Sequence, residues 1–122
     1  VDYKGKIPYS EVQNYIKKAN VCLFPTYAET LGMVTIESMA MQKPVVNSNI
    51  GWAQELMEDQ KSGFLVHPSR HEEYANRIVS VLQNDALYIQ FGTAACKFVS
   101  ERFDIESIVK NNIQFYESKT HP

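Results

Sequence analysis

Three short apolar runs, each followed by a segment with helical periodicity, constrain this chain more than any other feature of its sequence. The runs are VCLFP at 21–25, VVNS at 45–48 and FLV at 64–66. The first, an apolar run closed by proline, is typical of a strand that is buried on both faces in a parallel sheet. Strands that alternate with helices form right-handed βαβ units. The sequence therefore predicts an α/β fold, with a parallel sheet flanked by helices.

Residue pairs at the starts of the helical segments predict where those helices begin. Ser10 with Gln13, and Ser69 with Glu72, have the spacing of capping boxes, in which both side chains satisfy free N–H groups. Asp104 is predicted to cap the last helix. Five tyrosines at helical spacings are interpreted as the edges of amphipathic core faces: Tyr9, Tyr15, Tyr74, Tyr88 and Tyr116.

The predicted strand count is low for such a fold. An α/β sheet normally has about five or six strands, whereas three or four can be found here, and about three helices without a strand follow the last of them. We therefore expect a sheet that is incomplete at the N-terminus and an all-helical C-terminal tail.

Composition excludes several classes of protein. The formal net charge is −2 with acids and bases interspersed, so the basic stripe of a nucleic-acid-binding protein is missing. No apolar run approaches the roughly 20 residues that cross a bilayer, and the first ten residues lack the apolar segment of a secretory signal. Cys22 and Cys96 lie in apolar surroundings and are interpreted as buried thiols, which fits a reducing, cytoplasmic setting. The histidines are not at metal-ligand spacing, so no metal site is expected: His67, His71 and His121.

The loops that follow the strands are the candidate site. In an open parallel sheet, ligands bind outside the carboxyl ends of the strands. Three loops leave such ends, at 25–32, 48–52 and 67–69. The first is the richest in polar groups and directly precedes an apolar helix predicted at 33–41.

The start of that helix favours an anion. Its first N–H groups, at Gly32, Met33 and Val34, have no intrahelical partner and carry the positive end of the helix dipole. A phosphate or diphosphate suits this position, and a glycine lets it approach the backbone. The carboxylate of Glu37 can accept hydrogen bonds from a ribose, and that of Glu29 from a second sugar. These residues alone leave open the alternative of ordinary helix-end chemistry.

The run PTYAETLGMVTIESMAMQKPVV, at 25–46, resembles the signature of the retaining glycosyltransferases with the GT-B fold, of the type called glycosyl transferases group 1. That signature reads P-S-x-x-E-G-F-G-L-V-x-x-E-A-M-A-x-G-x-P-V-V. Glu29 and Glu37 stand in its E-x7-E pattern. Six further positions fit it: Gly32, Met39, Ala40, Pro44, Val45 and Val46.

The resemblance extends in order over nearly the whole chain. Matching segments are Gly5 with Ile7 before the first helix, the strand at 19–25, the turn formed by Ile50, Gly51 and Glu55, the segment 62–68, and Phe103 with Tyr116 in the tail. It implies that residues 1–122 are the later part of a Rossmann-like, nucleotide-sugar-binding C-terminal domain, without the N-terminal acceptor domain.

The resemblance also implies roles for individual residues. Glu37 would hold the ribose of the donor nucleotide, and Glu29 would contact hydroxyls of the transferred sugar, which makes it the candidate catalytic residue. The backbone of the loop and of the first helical turn would touch the donor sugar and diphosphate: Thr30, Leu31, Gly32, Met33 and Val34. The family transfers a sugar with retention, usually without a catalytic metal, so no cofactor besides the nucleotide-diphosphate sugar is expected.

Departures from the family pattern concern the loops. Thr30 and Leu31 replace Gly-Phe, and Gln42 replaces a common glycine. Trp52 replaces the second glycine of the turn after Gly51, so it either reshapes the acceptor-side rim or is a packing residue. The Arg and Lys that hold the donor phosphates in the family lie upstream of the matched region, so the isolated chain is expected to bind a donor weakly and not to turn over.

The expected partners are therefore those of a complete enzyme: a nucleotide sugar such as a UDP-sugar, a glycan or lipid acceptor, the missing N-terminal domain and, as an open possibility, peripheral contact with the inner membrane face. The alternative is a non-catalytic flavodoxin-like module that binds a nucleotide or a protein partner. A sugar-nucleotide epimerase is disfavoured by the E-x7-E spacing and by the lack of an identifiable acid–base pair.

Overall fold

The computed structural model describes residues 1–120, and in this part of the chain helices surround one small parallel sheet. The elements in chain order are α1 (Tyr9–Lys18), β1 (Cys22–Phe24), α2 (Met33–Ala40), β2 (Val45–Ser48), α3 (Ala53–Leu56), β3 (Phe64–Val66), α4 (His71–Leu82), α5 (Asp85–Arg102) and α6 (Ile105–Thr120). The predicted α/β class and the all-helical tail are both confirmed. His121 lies outside the described residues.

The sheet has the order β1-β2-β3 with all neighbours parallel. Successive side chains of a strand point to opposite faces, and the central strand β2 therefore contributes Val45 to one half of the core and Val46 to the other. The first half lies against α2 and α5 and contains Met39, Phe98 and Val99, whereas the second lies against α4 and contains Tyr74, Val81 and Phe91.

The edge strand β1 departs from the prediction that residues 21–25 are buried on both faces. Cys22 is buried, but Leu23 is 41% exposed. Leu23 pairs with Val46 in the parallel register, on the face that α4 covers, and α4 packs over β2 and β3 rather than over the edge. The prediction is wrong because α4 packs over β2 and β3, which leaves the side chain of Leu23 on the edge strand partly uncovered.

Neither predicted capping box forms. Helix α1 begins at Tyr9 with Pro8 as its N-cap, so Ser10 already lies inside the first turn. Proline fixes φ near the helical value and lacks an N–H that would need a partner, and the carbonyl of Pro8 accepts from the N–H of Glu11 at 2.9 Å. Helix α4 has Arg70 as its N-cap without a side-chain bond, because the hydroxyl of Ser69 lies 2.7 Å from Nδ1 of His67 instead.

The start of α6 confirms the predicted cap. The carboxylate of Asp104 accepts from both the N–H and the hydroxyl of Ser107, each at 3.0 Å, and these bonds lower the pKa of Asp104. Helix α6 itself has no buried residue, and the side chains of its predicted apolar face are largely exposed, as with Ile105 at 70% and Tyr116 at 67%.

Two further predictions about single side chains are partly wrong. Both cysteines are free thiols, but Cys96 is only half-buried, because it faces the carbonyl of Ala40 at the margin of the core. Of the five tyrosines, only Tyr74 is buried. Its hydroxyl donates to the carbonyl of Val46 at 2.5 Å and ties α4 to β2, and burial raises the pKa of Tyr74 to about 12. The spacing of tyrosines along a helix predicts on which face of the helix they lie, but not whether another element packs against that face.

Candidate functional site

The structure brings the three predicted loops together at the carboxyl edge of the sheet. Residues 26–31 after β1, the turn after β2 and α3 line one crevice. The hydroxyl of Ser48 donates to the carbonyl of Phe24 at 2.9 Å, which joins the ends of β1 and β2. The rings of Tyr27 and His67 meet edge to face with centroids 6.4 Å apart, which brings the loop after β3 to the same edge. Parallel strands with one common carboxyl end dictate this convergence.

The N-terminus of α2 opens at this edge without a side-chain cap. Its N-cap is Gly32, with φ +74°, and the first turn contains no acidic residue. The first N–H groups of the helix therefore remain available to an external acceptor. The positive end of the helix dipole adds to their attraction for an anion.

Gly32 is required for a reason that sequence reasoning missed. Its left-handed φ is costly for a residue with a Cβ. A Cβ at this position would also lie 2.8 Å from Cδ1 of Leu56 and 3.5 Å from Cγ of Glu29. The close approach that the glycine permits is thus that of the Leu56 side chain of α3 to the start of α2. The interpretation that the glycine admits an anion stays a prediction.

Glu29 lies on the exposed side of the crevice. Its Oε1 accepts from the backbone N–H of Thr30 at 2.9 Å, a bond between neighbours that fixes the side chain next to α2. Leu31 and Met33 are also exposed, at 48% and 55%. Of the predicted donor-contact residues, Thr30, Leu31 and Met33 are therefore exposed at this edge, whereas Gly32 is buried and Val34 is half-buried.

Glu37 lies one turn further into α2 and faces a different cavity, of about 320 Å³, between α1 and α2. The cavity is lined mainly by apolar side chains of α1 and by Ala40 and Met41. The hydroxyl of Tyr9 donates to Oε1 of Glu37 at 2.5 Å. This hydrogen bond and the charge of Glu37 raise the pKa of Tyr9.

Tyr9 was missed as a site residue. The interpretation of Tyr9 as a core edge is wrong, because its side chain is 76% exposed and turns toward Glu37. The two residues are 28 positions apart. No local periodicity in a single sequence carries a signal for such a contact.

The two carboxylates thus border separate concavities, Glu29 the crevice at the sheet edge and Glu37 the cavity between α1 and α2. The crevice at Glu29 has a volume of only about 20 Å³, which is room for roughly one water molecule. A sugar ring does not fit there in this conformation. Trp52 is 63% exposed and borders this crevice, so its exposure does not fit the alternative that it is a packing residue. Gly51, beside it, has φ +57° and open space around it.

A further concavity, of about 800 Å³, runs along the outer side of α4. Its side chains pair with one another, with Nε of Arg70 at 2.8 Å from Oε2 of Glu73. Across residues 1–120, no three His, Cys, Asp or Glu side chains are grouped so that they could hold a metal ion. Within the same range, no helix has the length and apolarity needed to span a membrane.

Comparison with known proteins shows to which family this chain is related. The model of the family "Glycosyl transferases group 1" matches residues 1–98. The chain is 26% identical over 117 residues to an uncharacterised glycosyltransferase of Methanocaldococcus jannaschii, which covers 96% of this chain and 33% of that protein.

Solved structures agree with this match. A sucrose-phosphate synthase from Thermosynechococcus elongatus superposes with a TM-score of 0.85 at 32% identity, over 95% of this chain and 29% of the synthase. Anabaena HepE in complex with UDP and glucose superposes with a TM-score of 0.82 at 28% identity, over 88% and 30% of the two chains. The chain thus spans about a third of the length of the proteins it resembles. By sequence and by fold, it belongs to the glycosyl transferases group 1 family.

Proposed function

We propose that this chain is the later part of the donor-binding domain of a glycosyltransferase, which moves a sugar from a nucleotide-diphosphate sugar to an acceptor hydroxyl with retention. The family match over residues 1–98 supports the activity. The relatives are about three times as long as this chain, which supports a second domain that supplies the acceptor site and the basic residues for the donor phosphates.

One observation carries the proposal: the N-terminus of α2 has no side-chain cap, with Glu29 in the loop directly before it and Glu37 one turn into the helix. A diphosphate at the first N–H groups would be stabilised by hydrogen bonds and by the helix dipole. Its two ends would then reach the two carboxylates. This arrangement would assist the transfer of the sugar. As the bond between the sugar and the diphosphate breaks, negative charge develops on the leaving diphosphate, and the N–H groups at the helix end would stabilise that charge.

The nucleoside end is assigned to Glu37. Its cavity has a volume of about 320 Å³ and is mainly apolar. An apolar cavity with one acidic acceptor suits a nucleoside with its ribose hydroxyls. The relation to Anabaena HepE, whose structure contains UDP and glucose, makes a uridine nucleotide the first to test.

The sugar end is assigned to Glu29, with the backbone of Thr30 and Leu31. Because the crevice there holds only about 20 Å³, donor binding must widen it. The exposed side chains of Leu31 and Trp52 border the crevice and are free to turn outward. Trp52 with Gly51 would then form the acceptor-side rim, facing a glycan or lipid acceptor held by the other domain. The reaction proposed here uses no metal, since helix N–H groups and basic residues of the complete protein would balance the diphosphate charge.

The test uses the complete protein, as expressed from its gene, with UDP-sugars and GDP-sugars as donors. Glu37→Ala and Glu29→Ala should each lower kcat/KM by about 10- to 100-fold, because each removes hydrogen bonds from a charged acceptor. The matched control is Glu101→Ala near the end of α5, an exposed carboxylate that lines neither concavity, which should retain activity. Near-normal turnover in both site variants would refute the assignment.

A further inference from the structure

Tyr9 connects α1 to the carboxylate that the proposed function assigns to the ribose. Its hydroxyl donates to Oε1 of Glu37 at 2.5 Å, while its side chain is 76% exposed. Both residues line the cavity of about 320 Å³ between α1 and α2. The bond therefore lies at the candidate site and not within the packed core.

We propose that Tyr9 is a positioning residue, whose hydroxyl holds the Glu37 carboxylate in the orientation that receives the ribose diol of a nucleoside diphosphate. This inference rests on the proposed function and deepens it, because it names what prepares the nucleoside end of the site before the ligand arrives.

The acceptor capacity of the carboxylate allows Tyr9 and a ribose to bind together. An ionised carboxylate offers about four acceptor positions on its two oxygens. Tyr9 occupies one of them on Oε1. Oε2 and the second position on Oε1 then remain for the two hydroxyls of a diol. The tyrosine hydroxyl thus uses one acceptor position of the Glu37 carboxylate and leaves the others available to a ribose.

Helix α1 holds Tyr9 in a fixed position, from which its hydroxyl can orient the Glu37 carboxylate. Pro8 fixes the start of the helix directly before Tyr9, and Ile16 anchors the same helix in the core. Within residues 1–120, Tyr9 is the donor that holds this carboxylate. A glutamate has three rotatable side-chain bonds, and a ligand that must order them binds more weakly than one that meets an ordered carboxylate.

The first experiment measures binding of UDP and GDP to the complete protein by calorimetry. Tyr9→Phe should raise the Kd about three- to tenfold, which is the usual effect of one lost hydrogen bond. The donor KM should rise by a similar factor with kcat nearly unchanged. The matched control is Tyr15→Phe, a half-exposed tyrosine on the same helix, which should bind as the wild type does.

A double-mutant cycle with Glu37→Ala tests whether Tyr9 acts through the carboxylate. In the Glu37→Ala background, Tyr9→Phe should change the Kd by less than about twofold, because the acceptor of the tyrosine hydroxyl has been removed. An equal effect of Tyr9→Phe in both backgrounds would overturn the proposal. A tighter Kd in Tyr9→Phe would do so too, since the hydroxyl would then compete with the ligand.

Titration of the tyrosine provides a readout that a merely structural role would not move. The bond and the charge of Glu37 raise the pKa of Tyr9, so Glu37→Gln should lower that pKa in NMR of the labelled phenol carbon. An unchanged pKa would show that the contact is absent and would sink the inference.

The two proposals fail in different ways. If the wild type binds neither nucleotide, or if Glu37→Ala binds as tightly as the wild type, the proposed function fails and the role of Tyr9 fails with it. If Glu37→Ala weakens binding while Tyr9→Phe does not, only the positioning role is refuted.

Discussion

The two ends of α2 are alike in backbone and opposite in environment. At each end a residue has left-handed φ: Gly32 with +74° at the start and Gln42 with +59° just after the end. The C-terminal end is held against α5, because Gly92 of that helix packs directly on the carbonyl of Gln42. The N-terminal end has no side-chain cap and opens at the sheet edge. The packed C-terminal end thus holds α2 in place. As a result, the N–H groups at its uncapped N-terminal end have a fixed position.

The largest effect is expected where the packed C-terminal end is disturbed. A Cβ at Gly92 would lie 2.4 Å from the backbone oxygen of Gln42, which cannot move without shifting α2. Gly92→Ala should therefore lower the free energy of unfolding by about 2 to 3 kcal/mol, even after the roughly 1 kcal/mol that alanine contributes to helix propensity. Chemical denaturation measures this change.

The neighbouring Thr93→Ala, at an exposed position of α5, is the control and should leave stability within about 0.5 kcal/mol of the wild type. If Gly92→Ala is as stable as this control, α2 is not held against α5 at its C-terminal end, and the contrast between the two ends is lost.

A smaller effect is expected at the open end. Gly32→Ala places a Cβ in the left-handed region, which costs about 1 to 2 kcal/mol, and adds a contact with the flexible end of Leu56. Gly51→Ala is the matched variant, because Gly51 also has a left-handed φ but no atom within 4 Å of its Cβ position. Gly32→Ala should lose more stability than Gly51→Ala by a few tenths to about 1 kcal/mol. Equal losses would show that Leu56 does not press on the start of α2.

The smallest effect is a gain. Gln42→Gly relieves the left-handed strain just after the end of α2, and should raise the free energy of unfolding by about 0.5 to 1 kcal/mol once the extra entropy of the unfolded glycine is subtracted. Gln83→Gly tests the same exchange at φ −98°, after α4, where no gain is expected. A thermal melt compares the two. A stabilised Gln83→Gly with an unchanged Gln42→Gly would reverse the interpretation.

Features encoded locally could be predicted from the sequence. The three strands, the apolar helix α2 and the cap at Asp104 follow from short-range patterns, and the carboxyl ends of parallel strands had to meet at one edge. The helix starts were less predictable, because Pro8 sets the start of α1 by its own ring where a capping box was expected at Ser10. Exposure depends on neighbours from elsewhere in the chain, as Leu23 illustrates.

The candidate site shows the same division. The positions of Glu29 and Glu37 relative to α2 could be predicted, because both lie within nine residues of one another around one helix start. The partner of Glu37 could not, since Tyr9 reaches it from another helix. The narrow crevice at Glu29 was also unpredictable, because its width depends on how the loop at 26–31 packs against α3.

The central claim is that the start of α2 receives the diphosphate of a nucleotide while Glu37 receives its ribose. A structure of the complete protein with bound UDP tests this most directly. We expect phosphate oxygens within hydrogen-bond distance of the N–H groups of Met33 or Val34, and ribose hydroxyls on the Glu37 carboxylate with the Tyr9 bond retained. A diphosphate bound away from this helix end, or a ribose that does not touch Glu37, would contradict it.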